Sequence, residues 1–179
     1  DIDLAGYTVT VPTGYTTAVI RGGVGKLKSV GATGSTLDIK NGGTLRYSGI
    51  LYFNSGCVLK IQGGATLEVS PATDGGNAYV YLADGSILDV YDTSAGSPVI
   101  WTRSGANKSS FTFIAQTPIA LDYAEISTGG QCSLAQNSSL SHLDVFDGSY
   151  LNLQSGNHIV QSCIFRGSAA YGIMPLNVN

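Results

Sequence analysis

The segments LDYAEISTGGQCSL (residues 121–134), LSHLDVFDGSYLNL (140–153) and VQSCIFRGSAAYGI (160–173) align with one another without a gap. The aligned apolar slots are Leu121, Ala124, Ile126, Cys132 and Leu134 in the first row, and Leu140, Leu143, Val145, Leu151 and Leu153 in the second. Val160, Cys163, Phe165, Tyr171 and Ile173 fill the third. Steps between slots are 3, 2, 6 and 2 in every row, and the rows begin 19 and 20 residues apart. Repetition at this length marks a solenoid, in which one repeat buries its apolar face only when a neighbour stacks on it. Pairs such as Ala124/Ile126 have the two-residue alternation of strands, and no row carries the 3.6-residue period of a helix. The spacing therefore predicts coils of short parallel strands stacked about 4.8 Å apart.

Towards the N-terminus the pattern continues with longer periods. Ser35, Leu37, Ile39, Leu45 and Tyr47 map onto Cys57, Leu59, Ile61, Leu67 and Val69 after 22 residues, and Leu51 and Phe53 supply a third strand. Leu88 and Val90 repeat Leu59 and Ile61 after 29 residues, which makes the turn-rich run 70–77 an insertion and a surface loop. A further coil passes through Val99/Trp101 and Phe111/Phe113 to Leu121, with a second polar loop at 103–110. Trp101 is expected in the core. In residues 1–33, Tyr7, Val9 and Val11 alternate with threonine until Pro12, but no clean repeat is visible, as suits a capping coil. The expected architecture is all-β: a single parallel β-solenoid domain over 1–179 with about seven coils, two loop insertions and no long helix. Its parts are the capping coil 1–33, coils with longer loops at 34–120 and regular coils at 121–173. Residues 174–179 would begin a further coil or leave an open end.

Asn137 and Asn157 precede two of the rows by three residues, so they are expected to stack at a corner as an amide ladder. With strand pairs such as Val160 to Gly167, this pattern resembles the right-handed parallel β-helix, or pectate-lyase-like, superfamily, of the cell-surface and phage-spike kind. The resemblance implies a right-handed winding; fold alone does not give an activity.

The 179 residues include 24 glycines, only 12% charged residues and 43% hydrophobic ones, a composition of turns and core rather than of a disordered chain. A net charge of −3 with scattered Lys and Arg gives no basic stripe, so nucleic acid is not an expected partner. No apolar run approaches the roughly 20 residues of a membrane-spanning helix. The chain opens at Asp1 on a strand-like segment with no signal peptide, as a mature secreted protein would. Cys57, Cys132 and Cys163 are expected as small buried hydrophobes, unpaired, and with no CxxC or histidine pair neither metal nor cofactor is expected. Of the two N-x-S sequons, Asn107 is the expected glycosylation acceptor, because Asn137 is assigned to the ladder.

Residues between the inward slots also line up from coil to coil. Glu125 and Asp144 share a slot, as do Tyr123 and His142, and Ser127, Phe146 and Arg166. Stacked carboxylates about 5 Å apart at the backbone suit glycosidase chemistry, which makes Glu125, Asp144, His142 and Arg166 the catalytic candidates. The simpler reading is a solvated outer face. The chain lacks the paired aspartates with Gly-His-Gly and Arg-x-Lys of β-helix hydrolases, and the calcium-binding aspartate cluster of pectate lyases. Tyr47, Tyr52, Tyr79, Tyr81, Tyr91, Tyr123 and Tyr150 are read as strand or edge tyrosines, exposed, with Tyr79 and Tyr81 as a sugar-stacking or protein-contact pair if Val80 and Leu82 face inward.

The expected function is that of an extracellular or cell-surface structural module of a surface layer, sheath or adhesin. It would self-associate through its ends and edges as a homo-oligomer, filament or lattice, or belong to a longer parent chain. The alternative is a phage tail-spike or secreted β-helix protein that binds or cleaves polysaccharide. As an enzyme it would be a polysaccharide hydrolase or lyase.

Overall fold

The computed structural model describes residues 8–11, 16–19, 26–29, 34, 36–48, 50–70, 78–103, 111–166 and 173–175. Asn107, the two expected loops (from 71 to 77 and from 104 to 110) and the residues around Tyr171 and Asn179 lie outside them. The described residues form strands and turns with no helix. The first strands are β1 (Thr8–Val11), β2 (Thr16–Val19) and β3 (Lys26–Ser29), followed by β4 (Thr36–Ile39), β5 (Thr44–Ser48) and β6 (Ile50–Phe53). Next come β7 (Val58–Gln62), β8 (Thr66–Ser70) and β9 (Tyr79–Leu82), then β10 (Ile87–Tyr91), β11 (Val99–Arg103) and β12 (Thr112–Ala115). The remainder are β13 (Ala120–Ser127), β14 (Gln131–Leu134), β15 (Ser139–Phe146), β16 (Tyr150–Leu153), β17 (Ile159–Gln161), β18 (Ile164–Arg166) and β19 (Ile173–Pro175).

All pairing between these strands is parallel, in three sheets that the chain visits in turn. The first sheet is β1-β4-β7-β10. The second runs from β2 through β5, β8, β11, β13 and β15 to β17 and β18, and the third from β3 through β6, β9, β12, β14 and β16 to β19. This arrangement is compatible with a β-solenoid. The registers follow the apolar slots: Leu37 lies on Leu59 and Leu59 on Leu88, Leu121 on Leu140 and Leu140 on Val160. Strands β1 to β3 join the same ladders, with Val9 on Leu37, Thr17 on Leu45 and Leu27 on Leu51. That repeat is hidden in the sequence because the turns between these strands are longer than those that follow.

Alternation along each strand explains the core. Val80 and Leu82 point inward and are fully buried while Tyr79 and Tyr81 between them are half-exposed, and β12, β14 and β16 repeat the pattern. Trp101 is fully buried and stacks on Phe113, ring centroids 4.2 Å apart. Tyr47, expected among the exposed tyrosines, is fully buried instead, because it sits in the inward column with Val69. Cys57 and Cys132 are buried; Cys163 is half-buried, and all three are unpaired. Burial pushes the Cys132 thiol up to about 12, a shift that the Thr128 hydroxyl partly opposes.

Corners are made by backbone in the left-handed region. Tyr123 (φ 50°), His142 (φ 52°) and Ser162 (φ 54°) occupy one slot, and there the eight-residue β13 and β15 bend. Their first halves pair with each other and with β17, and their second halves extend the ladder of β11 and β18. This bend is the three-residue step seen in each row of the sequence. At another corner Asn137 is also left-handed (φ 64°), and both it and Asn157 are exposed. The hydrogen bonds at this corner come from a buried hydroxyl: Ser138 Oγ donates to Ala135 O (2.7 Å) and accepts from Ile119 N (3.2 Å). Asn137 thus serves the turn through its backbone, a conformation that asparagine tolerates.

Candidate functional site

Outward side chains of neighbouring strands meet in columns, and each candidate residue belongs to one. Glu125 and Asp144 are in register on β13 and β15, and Ile164 of β18 continues their column. Asp144 does not turn to Glu125. Its two oxygens accept a two-pronged bond from Arg166, Nε at 3.0 Å from Oδ1 and Nη2 on Oδ2. This contact, with a smaller Coulomb contribution from Glu125, holds the guanidinium pKa above its ordinary value. Arg166 also lies over the Phe146 ring, 5.9 Å from its centroid. A carboxylate held this way is kept ionised and oriented; it can stabilise positive charge but is ill-suited to donate a proton.

His142 has a different set of partners. Its ring stacks on Tyr123, centroids 4.4 Å apart and planes 6° from parallel, and its Nδ1 lies 2.8 Å from Asp122 Oδ1. Ser141 Oγ donates to the same oxygen at 2.7 Å. Desolvation pushes the Asp122 carboxyl up, but the bonds from Ser141 and His142 together outweigh it, and its pKa falls below the ordinary value of 3.8. Asp122 was not singled out in the sequence, although its register with Ser141, beside the Tyr123/His142 slot, could have drawn attention to it. The stacked side chains at a corner are therefore Tyr123 and His142. Tying Nδ1 to a carboxylate fixes the histidine ring, while both serine and histidine converge on the aspartate rather than on each other.

The first sheet carries a third cluster that was not expected. Asp38, Lys60 and Asp89 are in register, alternating in sign. Lys60 Nζ meets Asp89 Oδ2 at 3.1 Å and Lys40 Nζ meets Asp38 Oδ2 at 2.8 Å. Tyr91 sits between the two ammonium groups, 5.3 and 5.1 Å from its ring centroid. Its hydroxyl accepts from Lys40 (2.8 Å) and donates to Asp38 (3.2 Å). The hydrogen bonds to Asp38 and then Tyr91 hold the Lys40 pKa above its ordinary value. On the second sheet Arg46 and Glu68 form a like pair at 2.9 Å.

The third sheet differs in kind. From β6 through β16 its described outward side chains include no charged group: Tyr52, Tyr79 and Tyr81, then Thr112 and Ile114, Gln131 and Ser133, Tyr150 and Asn152. Tyr81 stacks on Tyr52, centroids 4.7 Å apart and planes 5° from parallel, so its closest ring partner is the tyrosine of the adjacent strand rather than Tyr79. Tyr150 donates to Gln131 Oε1 at 3.3 Å. Among the described residues no three His, Cys, Asp or Glu side chains gather in metal-binding geometry, and no helix is long and apolar enough to cross a membrane. No family model, curated protein or solved structure matches this chain.

Proposed function

We propose that the chain winds as a right-handed β-solenoid of about seven coils and serves as an extracellular structural module of a surface layer, sheath or adhesin, assembling through its ends and edges. The observation that carries this reading is the closure of the charged side chains on one another from strand to strand. Asp144 is taken by Arg166, Asp122 by Ser141 and His142, Asp147 by Arg103, and Lys60 by Asp89. Such ladders stabilise a stack, and they occupy the groups that acid–base chemistry would need free. Electron microscopy and light scattering across a dilution series test the reading. Filaments, sheets or a concentration-dependent mass support it, and a monomer at every concentration sinks assembly as the basis of function.

A second reading, a tail-spike or secreted protein that binds or cleaves polysaccharide, is favoured by the tyrosines and amides of the third sheet. Its catalytic form is tested with Glu125→Gln on a panel of acidic and neutral polysaccharides. A product from the unmodified chain that this variant fails to make would move catalysis ahead of the structural role.

A further inference from the structure

We infer that the outer face of the third sheet is a binding face for a neutral polysaccharide. The inference rests on the second reading above and narrows it from carbohydrate in general to an uncharged chain at a stated place.

Charge is divided unevenly among the three faces. Asp38, Lys60 and Asp89 stand on the first, and Arg46, Glu68, Glu125, Asp144 and Arg166 on the second. From β6 through β16 the third carries none; only β3, at its start, places lysines (26 and 28) in register with this face. An anionic polymer would find little positive charge along these strands, and its affinity depends on such charge. A lipid surface would need an aliphatic face, whereas Ile114 is the only aliphatic side chain described on it.

What the face does present is phenol, hydroxyl and amide, repeating at the strand spacing of about 4.8 Å. Tyrosine combines an apolar ring with a polar tip and loses little conformational freedom on binding, while serine, threonine, asparagine and glutamine adapt their hydrogen bonds. A neutral sugar chain offers the complement: hydroxyls that both donate and accept, and C–H faces that lie on aromatic rings. Tyr79 is the best-placed anchor. It is half-exposed, makes no hydrogen bond or ring contact among the described residues, and has the hydroxyl-bearing Thr112 beside it in register.

Affinity electrophoresis of the 179-residue chain through gels containing hydroxyethylcellulose, galactomannan, laminarin or dextran, with polygalacturonate and alginate as acidic counterparts, tests this. At least one neutral polymer should retard the protein, with little change on adding salt, because no ion pair contributes. Tyr79→Ala should weaken the retardation roughly three- to tenfold, the loss of one aromatic contact. Thr112→Glu, a charge beside the same anchor, should weaken it as well, and Lys60→Ala on the first face should leave it unchanged. Thermal melts of each variant separate lost binding from lost folding. Retardation by acidic polymers alone would leave the polysaccharide reading standing and overturn this one. No retardation by any polymer would remove both. An increase in mass that Tyr79→Ala reverses would overturn the proposal by assigning the face to a second copy.

Discussion

Arg103 reaches Asp147 across Gly129. Its Nη2 lies 2.7 Å and its Nε 2.9 Å from Asp147 Oδ2, and its guanidinium occupies the space where a side chain at Gly129 would begin. Gly129 is also left-handed (φ 65°), so its lack of a Cβ serves both the turn and the ion pair above it. Asn41 uses the same device, lying over Gly64 (φ 79°) to reach Ser97 Oγ at 3.1 Å.

Gly129→Ala is expected to destabilise the protein by about 1–2 kcal/mol from its backbone alone, and further by displacing the guanidinium. Asp147→Asn, at a partly exposed pair, should cost no more than about 1 kcal/mol. Because both act on Arg103, their effects in urea unfolding should be less than additive in the double variant. Strict additivity would show that Gly129 matters for its turn only.

Leu143 is 1% exposed in the column between Ala124 and the residues above β15. Leu143→Ala should lose about 2–5 kcal/mol through the cavity it leaves, and Leu143→Asp should not fold, since its charge would have no partner in the core. Circular dichroism melts decide this. A soluble, cooperatively melting Leu143→Asp protein would show that the residue does not face inward.

Asp122 links stability to pH. Its folded pKa lies below the ordinary 3.8, so the carboxylate binds Ser141 and His142 with full effect above that value. The contribution should disappear as pH falls through the folded pKa, below about 4. Asp122→Asn should therefore flatten the acid limb of a plot of urea midpoint against pH and leave its neutral slope little changed. The same acid limb in both proteins would assign it to other carboxylates.

The three thiols should react in order of access. Cys163 is half-buried, whereas Cys57 and Cys132 are 1% and 0% exposed, and the thiolate of Cys132 is further disfavoured by a pKa of about 12. Pulse alkylation of the native protein, read by peptide mass, should label Cys163 first and Cys132 only on unfolding. Early labelling of Cys132 would mean that the sheets open locally at β14.

The inward columns were legible in the sequence because alternation is local: every strand puts successive side chains on opposite faces, whatever lies around it. Leu121, Leu140 and Val160 could be placed above one another for that reason, and Leu59 under Leu88 despite the intervening residues. Val80 and Leu82 could be offered as the inward pair, with Tyr79 and Tyr81 outward.

The tertiary structure alone decided which outward side chains meet. Glu125 and Asp144 share a slot, yet Asp144 pairs with Arg166, a contact set by the reach and angle of a long side chain and not by register. Asp122 gained its role from a bend in β13 that turns it towards Ser141 and His142. Tyr47 could be counted among exposed tyrosines until its column placed it in the core, and Asn137 could be read as a ladder residue until its turn proved to use its backbone. The ladders of β1 to β3 were concealed by the lengths of their turns. A turn can lengthen without disturbing the strands it joins, so periodicity survives within a strand and is lost between strands, where only the folded stack fixes the partners.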